Sequence, residues 1–407
     1  MIIDRPEELR KLKTAKKWML IYGRRKTGKT FLVENYLDYD MYFFVNRDRT
    51  IILKTEGNRM IGYEAFIELL RVSLEANKTI VVDEFHRLGD QFFDLLHSMK
   101  KNGSLILITS TMFLAKRLLS SGSPILGAFQ EIMIPLISLG NALNAVKGLG
   151  KKEMLESAII MREPIVIDYF SAKSARATLV SVLLGSLNAV PALIGEIFEE
   201  EDRRMSAIYN GIMGAVATGH TTSGEITDHL FERKLLKNND PSLVQQYLDN
   251  LIKIGVLRRI GVYGKKRYEY RMDSPLVRLF YYADEKYAIS QRRISEEEAI
   301  RIVDEVMLAI VEDSVREYLA ERLGFIETVV QGPNYELDGC LLRFSKPAVL
   351  LEVKWRKEIT QAELESAARN LMMIDAPRRL LFVQDKQNLK YGSIEIIDAS
   401  DLLNMNF

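Results

Sequence analysis

The sequence of 407 residues predicts an α/β protein of two or three domains that begins with a parallel sheet. Continuous apolar runs of strand type occur at residues 18–22, 79–84 and 104–111. Such runs are typical of parallel strands that are buried on both faces. The first run leads through a glycine-containing loop into a helical segment at residues 31–37. This order of strand, loop and helix is that of an α/β unit.

The charge balance and the cysteine count exclude several classes of protein and of site. Lysine and arginine number 56 against 55 aspartate and glutamate, so the formal net charge is +1. This balance excludes a global polycation and leaves room for a local basic patch. Cys340 is the single cysteine, which excludes an internal disulfide and a cysteine-based zinc site. We expect a cytoplasmic protein without a signal peptide or membrane span, because the apolar stretches are interrupted before ~18 residues.

Residues 23–30 read Gly-Arg-Arg-Lys-Thr-Gly-Lys-Thr and fit the phosphate-loop pattern G-x-x-x-x-G-K-[ST]. Lys29 is predicted to reach the β- and γ-phosphates of ATP and to face solvent when the loop is empty. The Thr30 hydroxyl is predicted to bind Mg²⁺. The flanking strand and helix argue against a chance match and place phosphate at a helix N-terminus. The predicted nucleotide contacts are Gly23, Arg24, Arg25, Lys26, Thr27, Gly28, Lys29, Thr30, Asp83 and Ser110.

The next two predicted strands end in polar residues that complete a nucleotide site. Asp83 is predicted to hold Mg²⁺ through water, and Glu84 to orient or deprotonate the attacking water. The third strand ends in hydroxyl residues. Ser110 or Thr111 either contacts the γ-phosphate or caps the following helix, which is predicted at residues 112–119.

These motifs resemble the archaeal ATPase family, a group of AAA+-related, STAND-like P-loop ATPases. The resemblance rests on residues 3–9, on the phosphate loop and on the segment Val-Asp-Glu-Phe-His-Arg-Leu at residues 82–88. It implies that residues 3–9 pack near the adenine. It also implies that residues 1–139 form the ATPase core and that residues 140–200 form a small helical lid.

One position departs from that family. The family often has an arginine after Leu-Tyr-Gly as a γ-phosphate contact, and this chain has Ala128 there. The departure puts vigorous hydrolysis in question, though not nucleotide binding. The sequence offers Arg24, Arg25 and Arg117 as substitutes.

Residues 201–290 contain two predicted helices, starting near Ser223 and at Ser242, and then a two-stranded hairpin with a basic tip. This order predicts a winged helix, which also resembles that of the archaeal ATPases. Winged helices either bind DNA through the second helix or serve as protein-packing modules. The predicted phosphate contacts are Arg258, Arg259, Lys265, Lys266 and Arg267.

Residues 291–407 carry a second group of polar residues that points to chemistry. A long helix at about 298–323 precedes a strand with Asp338 and a strand with Glu352 and Lys354. Glu352 and Lys354 are two residues apart and therefore share one face. An ordinary salt bridge between Glu352 and Lys354 is the alternative to a metal site.

The strand order and these three residues resemble the PD-(D/E)xK nuclease fold that ends many archaeal ATPases of this type. The resemblance implies that Asp338 and Glu352 hold Mg²⁺ or Mn²⁺ and that Lys354 positions or deprotonates the attacking water. It also implies an acid on the preceding helix. Glu312 and Glu317 are the candidates, and we prefer Glu312 as the further metal ligand.

The sequence thus predicts a P-loop NTPase parallel sheet with a helical lid, then a winged helix, then a PD-(D/E)xK nuclease-like α/β domain. The predicted function is an ATPase, with Lys29 and Glu84 as catalytic residues, that controls a metal-dependent nuclease acting on DNA. The alternative is a signalling or scaffold ATPase whose last domain is a non-cleaving interaction module. Ala128 and the near-neutral charge favour this alternative. A homo-oligomer or a protein partner fits both interpretations.

Overall fold

The computed structural model describes residues 1–15, 18–100, 102–118, 123, 125–170, 174–185, 189–200, 206–387, 389–392 and 394–404. Leu119, the last residue of the helix predicted at 112–119, lies outside these residues. Within the described ranges, no single helix is long and apolar enough to cross a membrane. The bent pair Ala175–Gly185 and Val190–Phe198 meets the criteria of length and composition together.

The first part of the chain is a sheet with helices. Its strands are β1 (Trp18–Tyr22), β2 (Met41–Val45), β3 (Ile51–Leu53), β4 (Arg59–Ile61), β5 (Thr79–Asp83), β6 (Ser104–Thr109) and β7 (Gln130–Met133). Its helices are α1 (Pro6–Thr14), α2 (Lys29–Tyr36), α3 (Tyr63–Glu75), α4 (Asp90–Ser98) and α5 (Met112–Leu118). The sheet order is β4-β3-β2-β5-β6-β1-β7. The five strands β2, β5, β6, β1 and β7 run parallel, and β3 and β4 add an antiparallel edge. The predicted parallel sheet is confirmed.

The three strands predicted from apolar runs occupy the centre of this sheet, as β5, β6 and β1. Their side chains alternate between two apolar clusters: Leu20 packs in one and Ile21 in the other, both fully buried. Burial on both faces is why these strands lack polar alternation. Because parallel strands share one carboxyl edge, the loop after β1, the acids at the end of β5 and Ser110 after β6 meet at that edge.

The middle of the chain is helical. The helices of residues 139–200 are α6 (Leu139–Ala145), α7 (Lys151–Ile160), α8 (Pro164–Ile167), α9 (Ala175–Gly185) and α10 (Ala189–Glu200). The following elements are α11 (Ala207–Ala217), α12 (Ser223–Glu232), α13 (Ser242–Lys253), β8 (Leu257–Val262), β9 (Tyr268–Met272) and α14 (Pro275–Tyr287). Helix α13 has the predicted bounds, and β8 and β9 form the predicted antiparallel hairpin.

The last part of the chain adds two groups of strands. Its elements are α15 (Glu296–Leu323), β10 (Thr328–Gln331), β11 (Glu336–Leu337), β12 (Gly339–Arg343), β13 (Lys346–Lys354), α16 (Gln361–Met372), β14 (Arg378–Val383), β15 (Glu395–Ile397) and α17 (Ala399–Asn404). One sheet has the order β12-β13-β14-β15. The other has the order β11-β10-β8-β9, because Thr328 of β10 pairs with Gly261 of β8. Strand pairing therefore connects the two domains whose boundary the sequence predicted at residue 290.

One apolar cluster also extends across these divisions. It contains Leu155 of α7, Leu248 of α13, Leu319 of α15 and Phe382 of β14, all fully buried. Since these residues come from three of the sequence segments, the helices of residues 139–200, the hairpin region and the last part of the chain share one core.

A buried arginine lies where α15 meets the strands. Arg316 is 2% exposed; its Nε donates to Glu327 at 2.8 Å, and it also donates to Asp313 and to the main-chain oxygen of Asp338, the latter at 2.8 Å. Burying a guanidinium is costly unless its donors are satisfied. Here each of its three nitrogens has a partner, so Arg316 fixes the helix against the strand that begins after Asp338.

We expect Arg316→Met to lower the free energy of unfolding by about 3–5 kcal/mol, because it removes one buried cationic partner from each of two carboxylates, Asp313 and Glu327. The matched control is Arg378→Ala, which removes a more exposed pair with Glu395 and should cost less than about 1 kcal/mol. Urea unfolding followed by circular dichroism measures both. Equal losses in the two variants would contradict the structural role given to Arg316.

Candidate functional site

The loop between β1 and α2 has the backbone that the phosphate pattern requires. Gly23 has φ 159°, and a Cβ there would meet the Ile134 oxygen at 2.2 Å. Gly28 has φ 90°, in the left-handed region that favours glycine, immediately before α2 begins at Lys29. Both glycines are thus required by the fold of this loop, and the helix N-terminus points its free amides toward it.

Lys29 is not where the sequence placed it. It is 6% exposed, and its ammonium donates to the main-chain oxygens of Gly23 and Arg24, each at 2.9 Å. The prediction that Lys29 faces solvent is wrong, because the loop curls over the side chain and offers it carbonyl acceptors. A phosphate group would compete with these two carbonyls for the ammonium.

Thr30 and Asp83 meet beside the loop. The Thr30 hydroxyl donates to Asp83 Oδ2 at 2.8 Å, and the Tyr42 hydroxyl donates to the same oxygen at 2.7 Å. Burial and the neighbouring Glu84 raise the pKa of Asp83. A hydroxyl and a carboxylate at the end of the phosphate loop are oxygen donors of the kind that Mg²⁺ prefers, so these residues fit a nucleotide-bound magnesium ion.

Glu84 has an unusual backbone and two side-chain partners. Its φ of 56° is left-handed, which costs energy for a residue with a side chain. The carboxylate accepts from the Ser110 hydroxyl at 3.0 Å and lies 3.3 Å from His86 Nδ1. The Ser110 hydroxyl thus contacts Glu84, the predicted general base. The sequence had offered two other roles for Ser110, a contact with the γ-phosphate or a cap of the following helix.

The three arginines offered as substitutes at Ala128 all face acids. Arg24 is 5% exposed and contacts both oxygens of Glu163, at 2.6 and 2.8 Å. Arg25 pairs with Glu196 at 2.6 Å. Arg117, which is more exposed, pairs with Asp90 at 3.1 Å. Arg24 and Arg25 therefore connect the phosphate loop to the helical segment that follows the sheet.

An apolar cavity of about 220 Å³ adjoins the loop. Its lining includes Ile2, Gly28, Phe31, Tyr36, Ile167 and Asp168. Arg5 also lines the cavity. Its guanidinium donates to the main-chain oxygen of Thr27 at 2.7 Å and to that of Pro135 at 2.8 Å. Because the cavity combines apolar walls with a position next to the phosphate loop, it suits a nucleobase.

The second group of predicted residues also comes together. Gly339 pairs with Leu351 across the antiparallel strands β12 and β13, so Asp338 lies opposite Glu352. Asp338 Oδ2 accepts from the Val353 amide at 2.7 Å, and Lys354 Nζ donates to Glu352 Oε1 at 2.7 Å. The salt bridge between Glu352 and Lys354, which the sequence offered as the alternative to a metal site, is therefore present. Asp338 lies next to it as a second carboxylate.

Two acids on α15 lie in opposite surroundings. Burial and the Asp338 carboxylate raise the pKa of Glu312 to about 8. Glu317 accepts from both terminal nitrogens of Arg162, at 2.7 and 3.0 Å. Although burial opposes it, Arg162 lowers the pKa of Glu317 to about 2. The charges of Glu312 and Asp338 therefore repel each other, whereas Glu317 is held in an ion pair.

The charges around Asp338 suit a cation. Burial and Asp338 raise the pKa of Glu352 to about 7, and burial raises that of Asp338. A divalent ion between two such carboxylates would relieve their repulsion. Within the described residues, no group of three or more His, Cys, Asp or Glu side chains could hold a metal ion. An ion at this pair would take its further ligands from water and substrate, as Mg²⁺ often does.

The hairpin basic residues divide into two sets. Arg258 is partly buried and pairs with Glu327 and, at 3.6 Å, with Glu317. The prediction that Arg258 contacts DNA phosphate is wrong, because these two carboxylates already bind its guanidinium. Arg259 is exposed and lies over the Tyr268 ring at 4.3 Å. The other exposed basic residues of the hairpin are Lys265, Lys266 and Arg267.

Comparison with known proteins supports the first of these sites. Residues 15–134 match the AAA domain family. The matched range contains the phosphate loop, Asp83, Glu84 and Ser110, so this part of the chain is similar to a P-loop ATPase domain of the AAA type. No curated protein sequence matches the chain significantly.

Several solved structures resemble the chain at low identity. The Walker-type ATPase PABY2304 of Pyrococcus abyssi is 18% identical over 69% of this chain and 96% of its own, with a TM-score of 0.46. The ORC2 protein of Aeropyrum pernix, as ADPNP–ADP complexes, is 11% identical over 76% and 92%, with a TM-score of 0.34. A STAND protein with a tetratricopeptide repeat sensor, PH0952 of Pyrococcus horikoshii, is 16% identical over 79% and 51%, with a TM-score of 0.30.

Sequence reasoning missed two partners of the nucleotide site. Tyr42, fully buried on β2, contacts Asp83, and Glu163 contacts Arg24. Neither lies in a recognisable motif, since a tyrosine in an apolar run and an acid before a proline are both common in folded proteins. Only the strand order and the packing of the helices that follow the sheet bring them to the loop.

Replacing Lys29 with alanine should abolish ATP binding, because the ammonium that counters the phosphate charge is lost. Titration with a fluorescent ATP analogue measures the affinity. Lys13→Ala, an exposed lysine on α1, is the control and should bind as the wild type does. Unchanged affinity in Lys29→Ala would remove the phosphate loop from the site.

Proposed function

We propose that the ATPase domain hydrolyses ATP and controls a metal-dependent nuclease centre formed by Asp338, Glu352 and Lys354, which acts on DNA. The observation that carries the proposal is that one chain holds two separate polar sites. One is the phosphate loop with Thr30 and Asp83, and the other is the paired carboxylates beside Lys354.

In the first site, the loop amides and Lys29 bind the phosphates, and the apolar cavity receives the base. Thr30 and Asp83 would hold Mg²⁺, which neutralises phosphate charge when bound. Glu84 accepts a proton from water or orients it. Its present contacts with Ser110 and His86 hold the carboxylate in place, so it must exchange at least one of them to reach the water.

In the second site, Asp338 and Glu352 would hold a divalent ion, Mg²⁺ or Mn²⁺, which activates water and steadies the leaving oxygen. Although burial opposes it, Glu352 and Asp338 raise the pKa of Lys354, so the side chain carries its charge. A charged lysine beside the carboxylates attracts the phosphate and orients the water. Glu312 is proposed as a further acid beside this pair, because its charge and that of Asp338 repel each other.

DNA contact is proposed for the hairpin of a winged helix formed by residues 201–290. Arg259 is exposed on β8, and Lys265, Lys266 and Arg267 are exposed in the turn before β9, where a wing would meet the phosphate backbone. Helix α13 carries a single basic residue, Lys253, so backbone contact is favoured over reading of the base sequence.

A second candidate function is a nucleotide-switched interaction protein that does not cut. The position of Arg24 favours it, because this arginine, a substitute for the one missing at Ala128, is paired with buried Glu163. Slow hydrolysis would suit a switch. Under this function the carboxylate pair would be a structural remnant, and ATP would be bound for long periods.

Glu84→Gln should leave ATP binding intact and slow hydrolysis by about 10²- to 10⁴-fold, because an amide cannot accept the proton. Single-turnover hydrolysis separates this step from binding. Lys78→Ala, an exposed residue beside β5, is the control and should turn over normally. If Glu84→Gln hydrolyses ATP at the wild-type rate, the base is another residue.

Asp338→Asn should abolish nicking of plasmid or single-stranded DNA in Mg²⁺ or Mn²⁺ while ATP hydrolysis continues. The amide keeps the size of the side chain and loses the charge needed for the ion. Gel electrophoresis of the products detects nicking, and Asp375→Asn, an exposed carboxylate in the same part of the chain, is the control. Absence of nicking by the wild type with any nucleotide would favour the interaction protein.

A further inference from the structure

Helix α7 and the turn after it, residues 151–163, contact both candidate sites. At the C-terminal end, Glu163 pairs with Arg24 of the phosphate loop at 2.6 Å. At the preceding position, Arg162 contacts both oxygens of Glu317 on α15. One short segment therefore links the nucleotide loop to the helix that also carries Glu312.

The same segment reaches the strand with the second group of polar residues. Glu156, fully buried, accepts from Trp355 Nε1 at 2.8 Å, and Trp355 follows Lys354 directly. Lys151, at the start of α7, pairs with Asp385 at 2.6 Å and with Asp398 at 2.8 Å, beyond β14 and β15. The segment is thus fixed to the last part of the chain at both ends of its helix.

The contact at the phosphate loop is the one that nucleotide would change. Among the described residues, Arg24 leaves Nε and Nη1 without a hydrogen-bond partner, although it is 5% exposed. A triphosphate in the loop adds acceptors and negative charge within the same loop, and it competes with Glu163 for this guanidinium. Glu163 is fully buried, so it cannot be left unpaired without a rearrangement of the turn that carries it.

We propose that residues 151–163 form a lever that transmits nucleotide occupancy from Arg24 to β13 through Glu163, Glu156 and Trp355. The inference rests on the proposed function, and it adds the route of control to it. The lever has two arrangements, one with Arg24 paired to Glu163 and one with Arg24 turned to phosphate. Nucleotide favours the second because its phosphates contact Arg24 only there. By linkage, a cation at Asp338 and Glu352 changes ATP affinity by the same factor as ATP changes cation affinity.

Tryptophan fluorescence tests the lever directly, since the chain has two tryptophans, Trp18 and Trp355. In a Trp18→Phe background, binding of a non-hydrolysable ATP analogue with Mg²⁺ should change the emission of Trp355. Glu163→Gln in that background should bind the analogue, as measured by calorimetry, and lose the change. Glu285→Gln, which breaks a partly buried contact with His229 away from the lever, is the control and should keep it.

A second variant covers the case in which Glu163→Gln does not fold. Trp355→Phe removes the N–H donated to Glu156 and keeps an aromatic ring against Phe382, 5.9 Å away between centroids. Hydrogen exchange of residues 346–354 should respond to the analogue in the wild type and not in this variant.

Two results would overturn the lever. One is an unchanged nucleotide response in both Glu163→Gln and Trp355→Phe. The other is a wild type that binds the analogue with no response at Trp355 or at residues 346–354. Neither result bears on DNA cleavage, which the plasmid assay measures separately. A wild type that binds no nucleotide would overturn the lever and the proposed ATPase together.

Discussion

The buried ion pairs between α7, α15 and the hairpin are the constraint on which the arrangement of the chain depends. Glu317 lies between Arg162, which follows α7, and Arg258 of the hairpin, and Glu327 joins Arg258 to Arg316. Charges in such surroundings are tolerated only with well-aligned partners. Guanidinium–carboxylate pairs are directional, so they permit few orientations of the elements that carry them. The apolar core supplies the stability, and these pairs select one packing of it.

The nucleotide loop obeys a related constraint. Lys29 cannot remain unpaired in a buried position, so it takes the carbonyls of its own loop. Phosphate binding would therefore be an exchange of acceptors, in which the ammonium stays buried and changes partner. The same holds for Thr30 with Asp83 and for Arg24 with Glu163. Lys29, Thr30 and Arg24 thus each have a protein partner in the loop without nucleotide, and these contacts stabilise its fold.

Local patterns in the sequence predicted the central strands, the phosphate loop, helix α13 and the hairpin, because each is encoded by residues that are close in the chain. The pairing of β8 with β10 was not predicted, since it joins positions far apart and neither strand specifies its neighbour. Arg258 was assigned to a DNA surface for the same reason: its partner Glu327 is 69 positions away. The burial of Lys29 could not be seen either, because it depends on how the loop closes.

Glu312 and Glu317 show what distinguishes a structural acid from a candidate functional one. They share a helix and the same side chain, and the sequence could only prefer one. The fold gives Glu317 two guanidinium groups, which hold it charged, and places Glu312 near the Asp338 carboxylate, where burial and repulsion disfavour its charge. Acids paired in this way contribute to one packing of the chain. Carboxylates that the fold brings together without enough cations are a destabilising arrangement, and such arrangements are concentrated at sites that bind a ligand. The pair Asp338 and Glu352 belongs to this second kind, which is why the ion pair of Glu352 with Lys354 alone does not account for the group.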